Sequence, residues 1–244
     1  EIKNSDNQYH GKVNMLTVLE KSLNTGMSFV SKKLGKHLLH QYLQDFGFGD
    51  YTSVELEGET KGRLDYYKRW SKAQLLTTSF GQGIVVTPLQ MITAWAALAN
   101  GGKLMQPYIV DSVIKENEVI KREPQVIRRV IKEETSSIIT SMLISAVRKG
   151  YARKADIPGF LVAGKTGTAQ IAGKGGKYET GEGSFITSFA GYLPALKPKF
   201  VMLVKFDRPR IGENTWGSTT AAPTFREISD FLIDYYNLQP NLIY

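Results

Sequence analysis

The sequence predicts an α+β fold in which helices cover an antiparallel sheet. Helical patterns dominate the first hundred residues, and three strand patterns follow an amphipathic helix before a last helix closes the chain. Consecutive strands bracketed by helices favour an antiparallel sheet, because a parallel sheet needs alternating strands and helices. We expect one domain with two parts, a mainly helical part over residues 1–105 and an α/β sheet part over residues 106–244.

The composition excludes several kinds of function and of structural site. Of the 244 residues, 42% are hydrophobic, which is enough for a sizeable core. The net charge is +8, but the basic residues are dispersed without long runs, so we do not expect nucleic-acid binding. The absence of cysteine excludes disulfides, thiolate metal sites and a cysteine nucleophile. No apolar run reaches the roughly 18–20 residues of a membrane span, and no signal peptide opens the sequence.

Three helices are predicted near the start. Asn14 suits the N-cap of the first helix, a second includes Phe29–Leu34, and Gly35 separates it from a third. Ser22 and Asn24 lie at the junction of the first two helices, where both side chains can point into one cleft. The alternative is that one of them merely caps the second helix.

The histidines give only weak signals. His37 and His40 are three residues apart on the third helix, but no further ligand lies near in sequence, so we expect solvated surface histidines. His10 belongs to the polar segment 4–12, which is predicted to be a loop. A Ser-His-Asp triad that includes His10 has no supporting motif. We therefore expect no metal and no cofactor.

The middle of the chain changes from irregular segments to regular ones. Residues 48–86 are irregular and rich in glycine, and a helix then begins at Thr87-Pro88 and ends before Gly101. This helix is apolar on almost every side, which predicts burial. The alternation from Tyr108 to Lys121 predicts a β-hairpin. An amphipathic helix over Lys132–Lys149 has an apolar stripe of Ile138, Ile139, Met142, Leu143, Ala146 and Val147.

Three strands and a helix complete the prediction. The strands are expected over Phe160–Ala172, Phe185–Tyr192 and Phe200–Phe206. The glycine-rich segment 173–183 is expected to be a mobile loop at the border of the cleft. The last helix, within residues 218–236, is expected to pack through Phe225, Ile228, Phe231 and Leu232.

One strand has a chemically unusual sequence. Lys165, Thr166, Gly167 and Thr168 follow an apolar run, and alternation places Lys165 and Gly167 on one face and the threonines on the other. A cation, two hydroxyls and backbone donors suit a bound carboxylate and a developing oxyanion. Gly167 lets another backbone or a ligand approach. The alternative is an ordinary edge strand whose polar residues discourage aggregation.

Several spaced motifs together resemble one family. Ser22-Leu23-Asn24 and Lys165-Thr166-Gly167-Thr168 resemble the second and third motifs of the penicillin-recognising serine acyltransferases. The resemblance extends over nearly the whole chain and is to class B penicillin-binding proteins, the monofunctional peptidoglycan D,D-transpeptidases. Its further motifs are Ser79-Phe80-Gly81-Gln82-Gly83, Thr87-Pro88-Leu89-Gln90, Ser188-Phe189-Ala190-Gly191-Tyr192 and Ala221-Ala222-Pro223-Thr224-Phe225.

The resemblance implies a penicillin-binding/β-lactamase-like transpeptidase fold and a serine acyl-enzyme. A serine attacks the penultimate D-Ala of a peptidoglycan stem peptide, and an amine of a neighbouring stem resolves the ester. Ser22 would relay protons, Asn24 would hold a substrate peptide group, and Lys165 would hydrogen-bond Ser22 and favour the anionic intermediate. Thr166, Gly167 and Thr168 would bind substrate. β-Lactam antibiotics would enter as substrate mimics.

The nucleophile motif of the family is not found at its expected place. Ser-x-x-Lys should precede Ser22 by several tens of residues, and no such motif occurs among the 21 residues before it. The sequence contains one Ser-x-x-Lys, Ser112–Lys115, which falls in the predicted hairpin and which we interpret as coincidental. We therefore expect the C-terminal part of a transpeptidase domain, with the N-terminal part missing.

Three other functions stay open. A β-lactamase needs a second base, usually a glutamate on a loop between the two motifs, and no convincing loop of that kind occurs. A non-catalytic penicillin-fold binding or sensor module agrees with the missing nucleophile. A basic domain that binds anionic wall polymer or lipid agrees with the net charge.

For the parent protein, the resemblance implies a place on the extracytoplasmic face of the bacterial cytoplasmic membrane, with an anchoring segment N-terminal to these residues. It also implies glycan-polymerising and divisome or elongasome membrane proteins as partners. It does not distinguish septal from side-wall synthesis. Within the chain, it implies that Ser22 Oγ and Lys165 Nζ lie roughly 2.7–3.2 Å apart, with Asn24 and the two threonines lining the same cleft.

Overall fold

The computed structural model describes residues 1–240 except 117, 174, 176, 211, 213 and 214. The described part is an α+β domain, as predicted. Its helices are α1 Met15–Glu20, α2 Asn24–Leu34, α3 Lys36–Asp45, α4 Lys72–Thr78, α5 Pro88–Ala99, α6 Glu133–Lys149 and α7 Ala221–Tyr235. Its strands are β1 Lys103–Met105, β2 Ser112–Lys115, β3 Glu118–Lys121, β4 Val126–Arg129, β5 Ala163–Gln170, β6 Phe185–Leu193 and β7 Phe200–Asp207.

The main sheet is antiparallel and has the order β5-β6-β7. Lys165 lies opposite Ala190, and Thr168 lies opposite Thr187. The outer edge of β5 pairs with no other strand among the described residues.

Two short ladders lie outside the main sheet. The predicted hairpin is the pair β2–β3, and a second pair, β1–β4, was not predicted. Every residue of β4 is exposed, so this strand carries no alternation of buried and exposed positions. Helix α4 was not predicted either, since it lies in the segment 48–86 that we expected to be irregular. It has only 7 residues, which is too short for a clear helical pattern.

Helix α7 packs on one face of the sheet through small residues. Phe225 is fully buried, and its ring lies 4.5 Å from that of Phe189 in β6. The prediction that Ile228 and Phe231 also pack here is wrong, since they are 40% and 65% exposed. Because α7 is a helix, residues spaced three or four apart share one side, and the side that faces the sheet consists mainly of small residues. The buried residues of α7 are Ala221, Ala222, Phe225 and Ser229.

Helices α5 and α6 lie against the sheet, and α6 does so partly through hydroxyl groups. Ser136 Oγ donates to Leu98 O at 2.5 Å, and Thr140 Oγ1 lies 2.6 Å from the buried Tyr192 hydroxyl. These bonds let polar residues occupy the inner side of α6. Ile138, which we predicted to be buried, is 51% exposed. Helix α5 has no exposed residue between Leu89 and Ala99, as expected.

The interpretation of both histidines of α3 as solvated is wrong for His40. His40 is 5% exposed, and its ring centre lies within 6 Å of three aromatic rings, those of Tyr66, Tyr67 and Trp70. Burial, and secondarily the charge of His37, lower the pKa of His40 and favour its neutral form. The described residues contain no group of three or more side chains suited to a metal ion.

The described helices include none that is both long and apolar enough to span a membrane.

Gln90 joins three segments of the helical part. Its side chain is buried, with 1% of the residue exposed. The side-chain amide nitrogen Nε2 donates to Asp50 O at 2.6 Å and to Lys61 O at 3.0 Å. Its Oε1 accepts from Thr87 N at 3.0 Å, while Thr87 Oγ1 accepts from Gln90 N and completes a capping box. One buried side chain thus fixes the start of α5 against residues 50 and 61.

Replacing Gln90 by Met should lower the free energy of unfolding by about 2–4 kcal/mol, because three backbone groups lose their buried partner. Urea denaturation measures the effect. The control is Gln41→Met on the exposed side of α3, which should change stability by less than about 0.5 kcal/mol. Equal losses in both variants would show that the Gln90 bonds contribute nothing specific.

Candidate active site

Helix α6 brings the α1–α2 junction to strand β5. It contacts β5 on one side and α1 on the other. Ser145 Oγ of α6 donates to the Glu20 carboxylate at the end of α1, and Tyr151 N donates to Glu20 O at 3.3 Å. A Cβ on Gly150 would collide with the Glu20 carbonyl, so glycine permits this close approach. The junction that follows Glu20 is thereby held beside the sheet.

Lys165 of β5 contacts Ser22 of the α1–α2 junction. Lys165 Nζ donates to Ser22 Oγ at 2.9 Å, although 143 residues separate them. It also donates to Thr166 O at 3.1 Å and lies 3.4 Å from Thr166 Oγ1. The predicted contact between Ser22 and Lys165 is confirmed. The lysine side chain also reaches the hydroxyl of Thr166, which simple strand alternation placed on the opposite face.

The environment of Lys165 changes its acidity. Part of its surface stays accessible, but protein atoms surround the ammonium group. Burial lowers its pKa to about 8, because desolvation disfavours the charged form. Its short-range partners are neutral oxygen atoms rather than carboxylates. Near neutral pH the group is a cation that no carboxylate of the described residues compensates, which suits it to an anionic ligand.

Thr168 and Gly167 are contacted by the loop before α7. Thr168 Oγ1 accepts from Gly217 N at 3.0 Å, which leaves the hydroxyl hydrogen to be donated. A Cβ on Gly217 would lie 2.6 Å from Ser188 O, so glycine is needed for this approach. The predicted approach of another backbone to Gly167 is confirmed by Gly217, whose Cβ would lie 2.5 Å from Gly167 O. A Cβ on Gly167 itself would meet the Ser188 hydroxyl at 2.6 Å.

Neither Ser22 nor Asn24 caps α2 with its side chain. The N-cap residue is Leu23, which has no side chain able to accept a hydrogen bond. Asn24 Nδ2 donates to Lys3 O at 2.9 Å, whereas Ser22 adopts φ +52° and accepts from Lys165. The capping alternative is therefore wrong for both residues. That Asn24 contacts substrate in the same cleft stays a prediction.

A cavity of about 450 Å³ lies near the Thr168 end of the site, next to the loop that contacts Thr168. It is lined by Gly181, Glu182, Gly183, Phe185, Gly212, Thr215 and Trp216. The aromatic contribution of Trp216 was missed from the sequence, because an isolated tryptophan in a loop has no periodicity.

The segment 173–183, which we expected to be mobile, lies partly outside the described residues, since Lys174 and Gly176 are not described. Its described part is tied to the end of β7. Arg208 forms two hydrogen bonds to the Glu179 carboxylate, at 2.5 and 2.8 Å, and one to Gly183 O at 3.1 Å. Residues 181–183 line the cavity, so this part borders a recess beside the site.

The Ser-x-x-Lys of this sequence lies in a different sheet from Lys165. Ser112 and Lys115 are the ends of β2, which pairs with β3 in the separate two-stranded hairpin. Lys115 is exposed and lies opposite Glu118 rather than beside Ser112. A serine activated by its lysine needs the two side chains within hydrogen-bond reach. No such bond is formed here.

The fold and the Ser22–Lys165 contact define a class, the penicillin-recognising serine acyltransferases, and the comparison with known proteins agrees. Residues 1–230 match the family model of the penicillin binding protein transpeptidase domain. The chain therefore belongs to the penicillin-binding protein transpeptidase domain family.

Stage V sporulation protein D of Bacillus subtilis is 43% identical over 218 residues, covering 88% of this chain and 33% of that protein. Peptidoglycan D,D-transpeptidase FtsI of Escherichia coli is 31% identical over 244 residues, covering 100% of this chain and 39% of that protein. The chain thus spans well under half the length of these relatives. Penicillin binding protein 3 of Mycobacterium tuberculosis, complexed with aztreonam, has a TM-score of 0.84 and 30% identity, covering 94% of this chain and 53% of that one.

Lys165 should titrate near pH 8, well below the ordinary lysine value of 10.5. Because the folded state binds fewer protons than the unfolded state between these values, stability should rise with pH from about 8 to 10.5. NMR of ¹³C,¹⁵N-lysine-labelled protein measures the pKa. In Lys165→Met, both the titration near 8 and its share of the pH-dependent rise should be lost. A Lys165 that titrates near 10.5 would contradict the burial of the ammonium.

The chain alone should form no covalent adduct with a fluorescent penicillin, because Ser112 lacks an activating lysine. A denaturing gel followed by peptide mapping tests this. A labelled band that maps to Ser112, and that disappears in Ser112→Ala, would show that the hairpin motif is a functional nucleophile.

Proposed function

We propose that this chain supplies the proton relay and the substrate-binding strand of a peptidoglycan D,D-transpeptidase that cross-links stem peptides through a serine acyl-enzyme. The 2.9 Å contact between Lys165 and Ser22 carries the proposal. A buried ammonium bound to a serine hydroxyl, at the open edge of a strand, does little for folding. Its chemistry suits the transfer of protons near an acyl carbon and the stabilisation of negative charge.

Ser22 is the proposed relay. Since Lys165 donates to Ser22 Oγ, the serine hydroxyl hydrogen is directed elsewhere and can be donated to a leaving amine. Transpeptidation needs one proton delivered to the departing D-Ala and one removed from the incoming amine. A hydroxyl can do both in turn, because it is a donor and an acceptor. The ammonium of Lys165 favours the loss of the serine proton.

The outer edge of β5 is the proposed peptide-binding edge. A stem peptide added there as an antiparallel strand would hydrogen-bond to the backbone. Its terminal carboxylate would lie near the hydroxyls of Thr166 and Thr168 and the Lys165 cation. The backbone N–H of Thr168 is the proposed donor to the oxyanion. Asn24 is proposed to bind a peptide group of the same substrate.

β-Lactams would enter the same site as mimics of the acyl-D-Ala-D-Ala end. Structures of the Mycobacterium tuberculosis relative complexed with aztreonam and with ampicillin support this proposal. The relatives named as peptidoglycan D,D-transpeptidases and as a sporulation protein support a role in wall synthesis. For the whole protein we further propose an extracytoplasmic, membrane-anchored location and glycan-polymerising partners of the divisome or elongasome.

The test joins this chain to the Ser-x-x-Lys-containing segment of a class B penicillin-binding protein. This chimaera should bind fluorescent penicillin covalently at the added serine and form cross-linked stem-peptide dimers. In the chimaera, Lys165→Ala should slow acylation about 100-fold or more, with unfolding free energy changed by about 1 kcal/mol.

The control is Lys197→Ala in the exposed β6–β7 turn, which should acylate at the unmodified rate. Mass spectrometry locates the adduct, and gel analysis of muropeptides detects the dimers. A folded chimaera that hydrolyses the acyl-enzyme quickly and forms no dimers would indicate a β-lactamase. A folded chimaera that is never acylated would contradict both enzymatic functions and favour a binding module.

A further inference from the structure

The segment before α1 crosses the start of α2. We call residues 3–10 the N-terminal brace. It contains no helix or strand, yet its Asn4 is only 6% exposed. Asn4 Oδ1 accepts from Thr25 N at 3.1 Å and from Thr25 Oγ1 at 3.0 Å, and Asn4 Nδ2 donates to Gln8 O at 3.0 Å. A polar residue of a predicted loop is thus buried with its hydrogen-bonding groups in use.

These bonds supply a cap that α2 lacks. The first N–H groups of a helix have no partner within the helix and need an external acceptor. Leu23, at the N-cap position of α2, has no side-chain acceptor. Asn4 provides the acceptor from 21 residues upstream. The place where α2 begins, immediately after Ser22 and Leu23, is therefore set by the brace.

The brace also holds Asn24, the asparagine of the Ser-x-Asn motif. Lys3 O accepts from Asn24 Nδ2 at 2.9 Å. Lys3 and Asn4 thus bind two consecutive residues, Asn24 and Thr25. Because only the nitrogen end of an amide can donate, the contact to Lys3 fixes which way the Asn24 side chain points.

The other end of the brace contacts the residue before Ser22. Asp6 Oδ2 lies 2.7 Å from His10 Nε2, and Lys21 Nζ lies 3.4 Å from His10 Nδ1. The His10 ring thereby joins Asp6 of the brace to Lys21. Ser22 lies between these two attachments with φ +52°, a conformation that a serine keeps only when its surroundings impose it.

We propose that Asn4 is a positioning residue, which caps α2 from outside the helix and thereby holds Ser22 against Lys165 and orients Asn24 for substrate. The catalytic part of this inference rests on the proposed transpeptidase function. The geometric part, that Asn4 controls the contact between Ser22 and Lys165, does not. Asn4 acts through Thr25 and the α1–α2 junction and touches neither Lys165 nor Ser22 in the hydrogen bonds of the site.

The chain offers a matched control for Asn4→Ala. Asn14 Oδ1 accepts from Thr17 N at 2.9 Å and from Thr17 Oγ1 at 3.0 Å at the start of α1. Asn14→Ala therefore removes the same kind of cap from a neighbouring helix. Each variant should lower Tm by about 2–4 °C, and Asn4→Ala somewhat more because its amide is buried.

The first readout is the NMR titration of Lys165 in the chain itself. In Asn4→Ala, Ser22 should withdraw and admit water, so the pKa of Lys165 should rise from about 8 towards the ordinary 10.5. The Asn24 side-chain amide signals should also shift. In Asn14→Ala neither should change. Asn4→Asp keeps the acceptor for Thr25 but cannot donate to Gln8, and it should keep the low pKa of Lys165.

The second readout is penicillin acylation in the chimaera described above. Asn4→Ala should lower the maximal acylation rate constant about 10- to 100-fold, with a smaller effect on the concentration for half-saturation. Asn14→Ala should change both by less than about twofold, and Asn4→Asp should restore most of the rate. A purely structural role of Asn4 would lower the amount of folded protein without this selective loss of rate.

The proposal is wrong if Asn4→Ala leaves the pKa of Lys165 and the Asn24 signals unchanged, or if Asn14→Ala changes them equally. If Asn4→Ala does not fold, Asn4→Ser takes its place, because its hydroxyl lies one bond closer to the backbone than Asn4 Oδ1 and loses the bond to Thr25 N. Asn4→Ser should then raise the pKa of Lys165 in the same direction, and an unchanged pKa would overturn the proposal. If the unmodified chimaera is inactive, the transpeptidase proposal fails, while the NMR experiment still decides whether Asn4 positions Ser22.

Discussion

A cation surrounded by protein atoms must be held by oxygen ligands, and the site of this protein is built on that requirement. Lys165 Nζ is bound by Ser22 Oγ and Thr166 O, both uncharged. Burial lowers the pKa of Lys165 to about 8, so the ammonium is less stable here than in water. An anionic ligand or intermediate would supply the missing negative charge. The uncompensated charge of the ammonium is thus the source of the proposed affinity for carboxylates and oxyanions.

The contact depends on two close approaches that side chains would prevent. Gly150 lets the end of α6 lie against the Glu20 carbonyl, which brings the α1–α2 junction to the sheet. Gly217 lets the loop before α7 lie on the backbone of β5 and β6, where it binds Thr168. Both glycines lie outside the catalytic motifs. Their absent side chains nevertheless decide where Ser22 and Thr168 are placed relative to Lys165.

Buried polar residues have two different roles in this molecule. Gln90 and Asn4 are neutral amides whose hydrogen bonds join segments far apart in sequence, and such networks fix one arrangement of the chain. Lys165 is charged and only partly compensated, which disfavours folding but equips the site for chemistry. Gln90 fixes the start of α5, whereas Asn4 is proposed to hold Ser22 against the cation through Thr25. On that proposal, the position of Ser22 depends on a residue that takes no direct part in the reaction.

The sequence alone determined the α+β class, the order of the long helices and the three strands of the main sheet, because these have clear periodicity. It also predicted the pairing of Ser22 with Lys165, through the resemblance of their motifs to a family. Short or solvent-exposed elements such as α4 and β4 gave no pattern and were missed. Tertiary structure alone decided the burial of His40, the outward side of α7 and the remote cap from Asn4 to Thr25. Each of these depends on what packs against a residue from a distant part of the chain, and local spacing carries no information about that neighbour.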